Sequence, residues 1–545
     1  MEGLSGIMRK LTASSQYRYH WRCSKNKITH LSFADDLMLF CYGDVQSVGV
    51  VKDSMDAFTH LSGLSINHTK SNLFTAGIDP EVSDAIVARL GIQMSHLPVK
   101  YLGVPLITSR LNKVHCLPLV ERITARVKLW TSSVLSYAGR LQLIKAVLFS
   151  IQVYWASKFM LPVHVTKQIE KILRHFLWSG VTLTRGDAKV AWKDICCPFS
   201  EGGLGIKRIQ DWNTAAIIKQ IWNILTNKES IYASWVNSYL LKGRSLWAVP
   251  MPSKPTWGWR KVLQTRDLVR GKITNIIGNG QNTYLWLDYW LPGGLRFCDL
   301  FPMRALTSTG FPWQARVSAI IEGNNWNFPV GDNQLHATWD SIAFQPNSEQ
   351  EDEHCWELSA TGVCTIHSVW DNIRIAGPQD GGGKLIWHKW HIPRHAFVLW
   401  LASKCRLRTI DRMHNQPLPQ PPCLLCRTHE ENHNHLFFQC RYSQMVWQAL
   451  LLKAQVHWPT IPWMEAWDWA STEYNSGVQA KMMGLLLGAT IYCLWQERNR
   501  RFHDQHFGTP QKMIEDITNL IRDKLGTLRE RDEMPESLRS RWNIP

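Results

Sequence analysis

Most of the thirteen cysteines in this chain lie singly, at positions such as Cys23, Cys116, Cys298 and Cys493, and one group alone has the spacing of metal ligands: Cys423-x2-Cys426-x8-His435-x4-Cys440. Three thiolates and an imidazole are a complete tetrahedral donor set for zinc, so this segment must close on itself as a small knuckle. An odd, scattered cysteine count does not describe a disulfide framework. Pro421-Pro422 leads into the first pair, and Leu436-Phe437-Phe438 can anchor the second half in a small core. Residues five apart on an ideal helix sit about 140° around its axis. His435 and Cys440 therefore need a turn or a helix break between them. His429 and His433 lie in the same gap and offer alternative imidazoles. With four positions filled, no site is left for a catalytic water, and the metal is expected to be structural.

The remaining sequence sets broader bounds. A length of 545 residues corresponds to roughly three to five domains. Apolar residues at 45% argue for buried cores throughout rather than disorder. Lys and Arg number 61 against 44 Asp and Glu, a balance of +17 that favours a polyanionic partner such as nucleic acid. The charge-free stretch Met482 to Trp495 is the best membrane candidate. It is too short to cross about 30 Å of hydrocarbon as a helix, so a buried helix and no membrane partner are expected. The first sixteen residues show no secretory pattern, which implies an intracellular protein of nucleus or cytoplasm.

Along the chain, Ile28 to Phe33 and Leu37 to Phe40 read as two short strands joined through Ala34-Asp35-Asp36. Asp53 to Leu64 suits a helix closed at Gly63, and Lys100 to Leu106 a short extended segment stopped by Pro105. Three helical stripes follow: Val120, Ile123, Val127, Trp130; then Leu141, Ile144, Val147, Ile151, Tyr154; then Val165, Ile169, Ile172, Phe176. Residues 186 to 345 mix Trp-rich pieces with Gly and Pro, and no period dominates there. Breaks are expected at Ser348 to Glu353, Gly377 to Gly383 and Asn415 to Pro422, and a mostly helical tail after Ser476. The 28 tryptophans recur beside Gly and Leu, which suits packing anchors better than base-stacking platforms.

The Asp35-Asp36 tip is the second feature with chemistry. Palm-type polymerases hold two Mg²⁺ with carboxylates, one ion activating the primer hydroxyl and the other neutralising the leaving pyrophosphate. Taken alone, the four residues Phe33-Ala34-Asp35-Asp36 describe a solvated turn before they describe a metal site. Their neighbours extend the pattern. His30-Leu-Ser-Phe-Ala-Asp-Asp36 is followed by Gly63-Leu-Ser-Ile-Asn-His-Thr-Lys-Ser71, Tyr101-Leu-Gly-Val-Pro-Leu106, Leu135-Ser-Tyr-Ala-Gly-Arg140 and Leu161-Pro162. Downstream stand Glu201-Gly-Gly-Leu-Gly205, Ser245 to Trp247, Gly278-Asn-Gly280 and Trp286-Leu-Asp-Tyr-Trp290. In this order the motifs resemble plant LINE-type (non-LTR) retrotransposon reverse transcriptases over nearly the whole chain.

The resemblance implies an α+β architecture with five parts. These are the C-terminal part of a polymerase palm over 1–107, thumb helices over 108–185, a connecting region over 186–383, a zinc-binding module over 384–459 and a helical basic tail over 460–545. It makes Asp35 the principal Mg²⁺ ligand and Asp36 its partner, and matches Lys70 to a lysine that assists pyrophosphate departure or contacts a backbone phosphate. The family pattern of Glu431, then His435-Leu-Phe-Phe and Cys440, selects His435 over its neighbours, giving Cys423, Cys426, His435 and Cys440 as the zinc ligands. The implied partners are RNA and DNA of template–primer type. Arg122, Arg126, Lys128, Arg140, Lys145, Lys167, Lys171 and Arg174 of the thumb are candidates to track the backbone, and the Arg498-to-Arg501 cluster reads as a further basic patch. The family's third catalytic carboxylate and Gly-containing template motif belong upstream of the hairpin, where Glu2 is the sole acid among 34 residues. The sequence thus predicts a fragment that keeps nucleic-acid and zinc binding without autonomous polymerisation. The competing reading is a zinc-stabilised RNA-binding or protein-interaction module retained from such an element.

Overall fold

The computed structural model describes residues 2–130, 135–180, 188–329, 333–413, 421–505, 507–528 and 534–544. The expected break at Asn415 to Pro422 falls outside them up to residue 420. Among the described residues helices dominate, with four short antiparallel strand pairs, an α+β architecture. It divides into two compact units, each assembled from separate stretches: 1–116, 155–162 and 211–374 in one, and 117–154, 163–210 and 375–545 in the other.

In the first unit, the expected hairpin forms from His30–Phe33 and Asp36–Leu39, with Phe33 opposite Asp36 and Ala34 at φ +52° in the turn. The helix expected from Asp53 begins earlier, spanning Val45–Ser62, because the Asp44 side chain caps it by accepting from the Ser47 N–H. An N-cap of this kind sets a start that apolar spacing alone does not reveal. Leu4 and Met8 of the Glu2–Leu11 helix bury against Val50, Val51 and Met55 of this one. The extended segment Lys100 to Leu106 is a hairpin in its own right. Val99–Tyr101 pairs with Val104–Leu106 through Leu102 and Gly103, both at positive φ, and Pro105 sits in the second strand. Leu-Gly is not among the favoured pairs for such a turn, which is why it read as extended.

The connecting region is held by aromatic packing and buried carboxylates. Trp286, Trp339 and Trp356 are fully buried, and Phe297 lies 4.4 Å from Trp339 ring to ring. Ser245 donates to Asp288 at 2.5 Å, and Trp247 packs edge-on against Tyr289 at 5.2 Å. Asp352 accepts from the N–H groups of Gly278, Gly280 and Asn282 and from the Thr283 hydroxyl, at 2.8 to 2.9 Å. The expected break at Ser348 to Glu353 therefore ends in a buried anchor, and Glu353–Trp356 pairs with Ile273–Ile276 as strands.

In the second unit, Leu117–Lys128 and Val163–Ser179 bury the expected first and third stripes, with Val165 and Ile169 fully buried and Ile172 half-buried. The second stripe is shifted. A π-turn at Ile144–Leu148 follows the Tyr137–Leu143 helix and adds one residue to the turn. From Leu148 on, the buried residues are Leu148, Gln152, Trp155 and Ala156, whereas Tyr154 is exposed. The expected break at Gly377 to Gly383 is also partly ordered: Gly382 and Gly383 are buried at the start of the Gly382–Ile386 helix, and Asp380 N–H donates to the Ser200 carbonyl. The tail is helical as expected, over Gly477–His503, Pro510–Gly526 and Glu536–Arg541. Gly477–His503 is long and apolar enough to cross a membrane, yet its middle, from Met482 to Tyr492, is buried inside this unit.

Candidate metal centre

Pro422 bridges Glu430 in antiparallel fashion, and the N–H of Cys423 donates to the His429 carbonyl at 2.7 Å. This folds 422–430 into a tight loop. The Arg427 N–H returns to the Cys423 carbonyl at 2.7 Å, with Arg427 at φ +61°, so Cys423 and Cys426 are presented from one knuckle. The second pair comes from the turn that the spacing required. His435–Gln439 is a π-turn closed by the Cys440 N–H donating to the His435 carbonyl at 2.7 Å, after which the backbone extends at Cys440 and the Arg441–Ala454 helix begins. An i to i+5 hydrogen bond stacks residue 440 over residue 435, which an α-helix cannot do.

The four ligand atoms of Cys423, Cys426, His435 and Cys440 lie within 4.8 Å of one another. Cys423, His435 and Cys440 are buried and Cys426 half-buried. The neighbouring imidazoles stand outside this set, although the His429 ring lies 5.4 Å from that of His435. His429 is exposed, and His433 packs between Phe437 at 4.9 Å and Trp463 at 5.5 Å. A hydrogen bond with Cys440 and then burial push the Cys423 thiol up, while the same bond lowers that of Cys440. Burial works against the Cys426 thiolate, but the Thr428 hydroxyl at 3.2 Å, backbone N–H groups and the His435 ring, its Nε2 at 3.2 Å, outweigh it and hold the thiol below its ordinary value. The donor set, its proximity and its burial fit tetrahedral Zn²⁺.

The groups behind the cage were not legible as such. Glu431 is buried; its Oε1 accepts from the Ile410 N–H at 3.0 Å and from Arg498 Nε at 3.0 Å. Arg501 pairs with Glu497 at 2.9 Å and donates to the carbonyls of Leu424 and Leu425, at 3.1 and 2.8 Å. The basic patch expected at Arg498 to Arg501 is thus largely internal: Arg498 and Arg501 are buried in ion pairs and only Arg500 faces solvent. The 498/501 spacing on an otherwise apolar helix was the available signal, since it places both guanidiniums on one face.

The other expected site residues have different settings. Asp35 and Asp36 sit exposed at the hairpin, and Lys70 is exposed in a turn where its N–H donates to the Asn67 carbonyl. Among the described residues the Cys₃His set is the only group of three or more Cys, His, Asp or Glu arranged to hold a metal, and no third acid joins Asp35 and Asp36 in one. Of the thumb bases, Arg122, Arg126, Lys128, Lys167 and Lys171 are exposed. Arg140 instead donates to the carbonyls of Leu177 and Trp178, both at 3.4 Å. Lys145 lies over the Phe199 ring at 4.1 Å, where burial and then the Lys207 charge lower its pKa to about 8.

A sequence profile described as zinc-binding in reverse transcriptase matches residues 364–447, and all four cage residues fall inside it. An Arabidopsis thaliana protein that carries the name ribonuclease H protein is 26% identical over 363 residues, a stretch covering 63% of this chain and 57% of that protein. An uncharacterized mitochondrial protein of the same plant is 27% identical over 143 residues, covering 26% of this chain and 93% of its own length. The chain therefore spans little more than half of the longer relative. Residues 364–447 thus match a reverse-transcriptase zinc-binding domain, and the chain is similar to these two plant proteins.

Proposed function

We propose that this chain is a portion of a LINE-type reverse transcriptase that binds one structural zinc through Cys423, Cys426, His435 and Cys440 and binds nucleic acid without polymerising on its own. The observation that carries the reading is the Cys₃His cage, with ligand atoms within 4.8 Å, inside a segment matching the reverse-transcriptase zinc-binding domain. Zinc would cross-link the 422–430 knuckle to the His435–Cys440 turn, and the chain's own residues close every coordination position.

Nucleic-acid binding is supported by the +17 balance and by exposed Arg122, Arg126, Lys128, Lys167 and Lys171. In this reading Asp35 and Asp36 are the palm carboxylates and Lys70 their neighbouring cation, but the pair alone is an incomplete Mg²⁺ site. A ribonuclease H activity, by the relative's name, would require a cluster of carboxylates for two metal ions, and no such cluster is found among the described residues.

The test uses the full chain. Metal analysis should give one zinc per chain, lost in Cys426→Ser, and labelled RNA should bind with an affinity that falls linearly in log K against log salt. A zinc-free wild type, or full zinc retention in Cys426→Ser, removes the metal reading. Binding that is undetectable or indifferent to salt removes the nucleic-acid reading.

A further inference from the structure

We propose that Arg501 is a positioning residue for the metal centre, fixing the Cys423–Cys426 knuckle from the buried side. The proposal rests on the zinc reading above. Leu424 and Leu425 are the two residues between Cys423 and Cys426, so the direction of their carbonyls sets the path of the knuckle. Arg501 holds both through one nitrogen, Nη1, at 3.1 and 2.8 Å. Its Nε donates to Glu497 at 2.9 Å and its Nη2 to the Gly508 carbonyl at 2.8 Å, while the Gly508 N–H donates to the same Glu497 oxygen at 2.7 Å. Every nitrogen of the guanidinium has a partner, and the side chain is only 6% exposed.

Arg498 buttresses the same knuckle. It is paired with Glu431, the pair 1% and 0% exposed, and Glu431 in turn receives the Ile410 N–H and, at 3.4 Å, the Leu424 N–H. Glu431 also stands four residues before His435. Both arginines project from the Gly477–His503 helix, which supplies no ligand. A planar fork of fixed N–H groups can orient two carbonyls, a carboxylate and a third carbonyl at once, whereas an ammonium is a single point donor. Removing groups that orient metal ligands typically weakens metal binding by about 10- to 100-fold.

The experiment measures zinc affinity of the full chain by chelator competition, and the visible absorption of the Co²⁺-loaded protein, for wild type, Arg501→Ala, Arg501→Lys and Arg500→Ala. Arg501→Ala and Arg501→Lys should each bind zinc about 10- to 100-fold more weakly and show altered Co²⁺ bands at saturation. Arg500→Ala, changed at the exposed neighbour on the same helix, should match wild type. Co²⁺ bands report the geometry of the ligands, which a general loss of stability does not shift at saturation. If Arg501→Ala does not fold, Arg501→Lys decides, because it keeps the charge and stem and removes only the fork. Wild-type affinity and spectrum in a folded Arg501 variant overturn the proposal while leaving the zinc reading intact. A wild type that binds neither metal overturns both.

Discussion

Asp288 shows how much the surroundings of one side chain decide. Burial raises its pKa to about 6, while hydrogen bonds from the Ser245 hydroxyl and the Tyr284 N–H and the charges of Arg316 and Arg296 pull it down without cancelling the burial. Its folded pKa lies above the unfolded value near 3.9, so its protonated form contributes stability that is fully present below about pH 4 and is lost as pH rises through about 6. The whole effect is on the order of 3 kcal/mol. Hydrogen exchange of peptides over 283–290 in wild type and Asp288→Asn should show the variant gaining relative protection between pH 4.5 and pH 7. A difference between the two proteins that does not change with pH would refute the assignment. Nothing in Trp286-Leu-Asp-Tyr-Trp290 marks that aspartate as buried, and Asp352 in an acidic stretch read as a break for the same reason. Cys423, Cys426, His435 and Cys440 were legible because chelation constrains residue type and spacing together. Arg498 and Arg501 were misread as a patch because charge in a sequence does not report its partner.

The Gly477–His503 helix carries two glycines whose environments differ. A Cβ built on Gly484 would lie 2.2 Å from the Leu385 carbonyl oxygen, so the helix can pack this closely only where there is no side chain. At Gly488 the nearest atom, the His395 Cβ, is 3.7 Å away, an ordinary contact. Gly484→Ala should therefore destabilise the second unit by about 1 to 3 kcal/mol through overpacking. Gly488→Ala should be neutral or stabilising by up to about 1 kcal/mol, because alanine is the better helix former. Urea unfolding followed by tryptophan fluorescence would compare them; equal midpoints for the two variants would contradict the close approach. Period 3.6 made the helices carrying the three stripes between Val120 and Phe176 readable, but not Ile209–Thr226, where no period dominates. What was not readable was local geometry: the π-turn at Ile144–Leu148 moves the buried face onto Leu148, Gln152 and Trp155, and a one-residue change in turn size leaves no trace in apolar spacing.

Across the whole molecule, the two units interleave three stretches of chain each, so linear boundaries drawn from composition do not follow contacts. The zinc module is the clearest case. Its ligands all lie between 423 and 440, yet the buried arginines that brace it come from 498 and 501, beyond any boundary placed at the Pro-rich segment near 459. At this scale the chain is also expected to fall short of polymerase activity. Two-metal phosphoryl transfer needs both ions about 3.5 to 4 Å apart and in line with the primer hydroxyl. Asp35 and Asp36 are adjacent at an exposed hairpin, and no third acid among the described residues completes a cage with them. A catalytic group displaced by about 1 Å can cost on the order of 100-fold in rate, so an absent ligand should leave no measurable turnover. Extension of a labelled primer on an RNA template, with Mg²⁺ or Mn²⁺, should give no product from the wild-type chain. Product from wild type that disappears in Asp35→Ala would mean that another acid of this chain reaches the hairpin and completes the two-metal site.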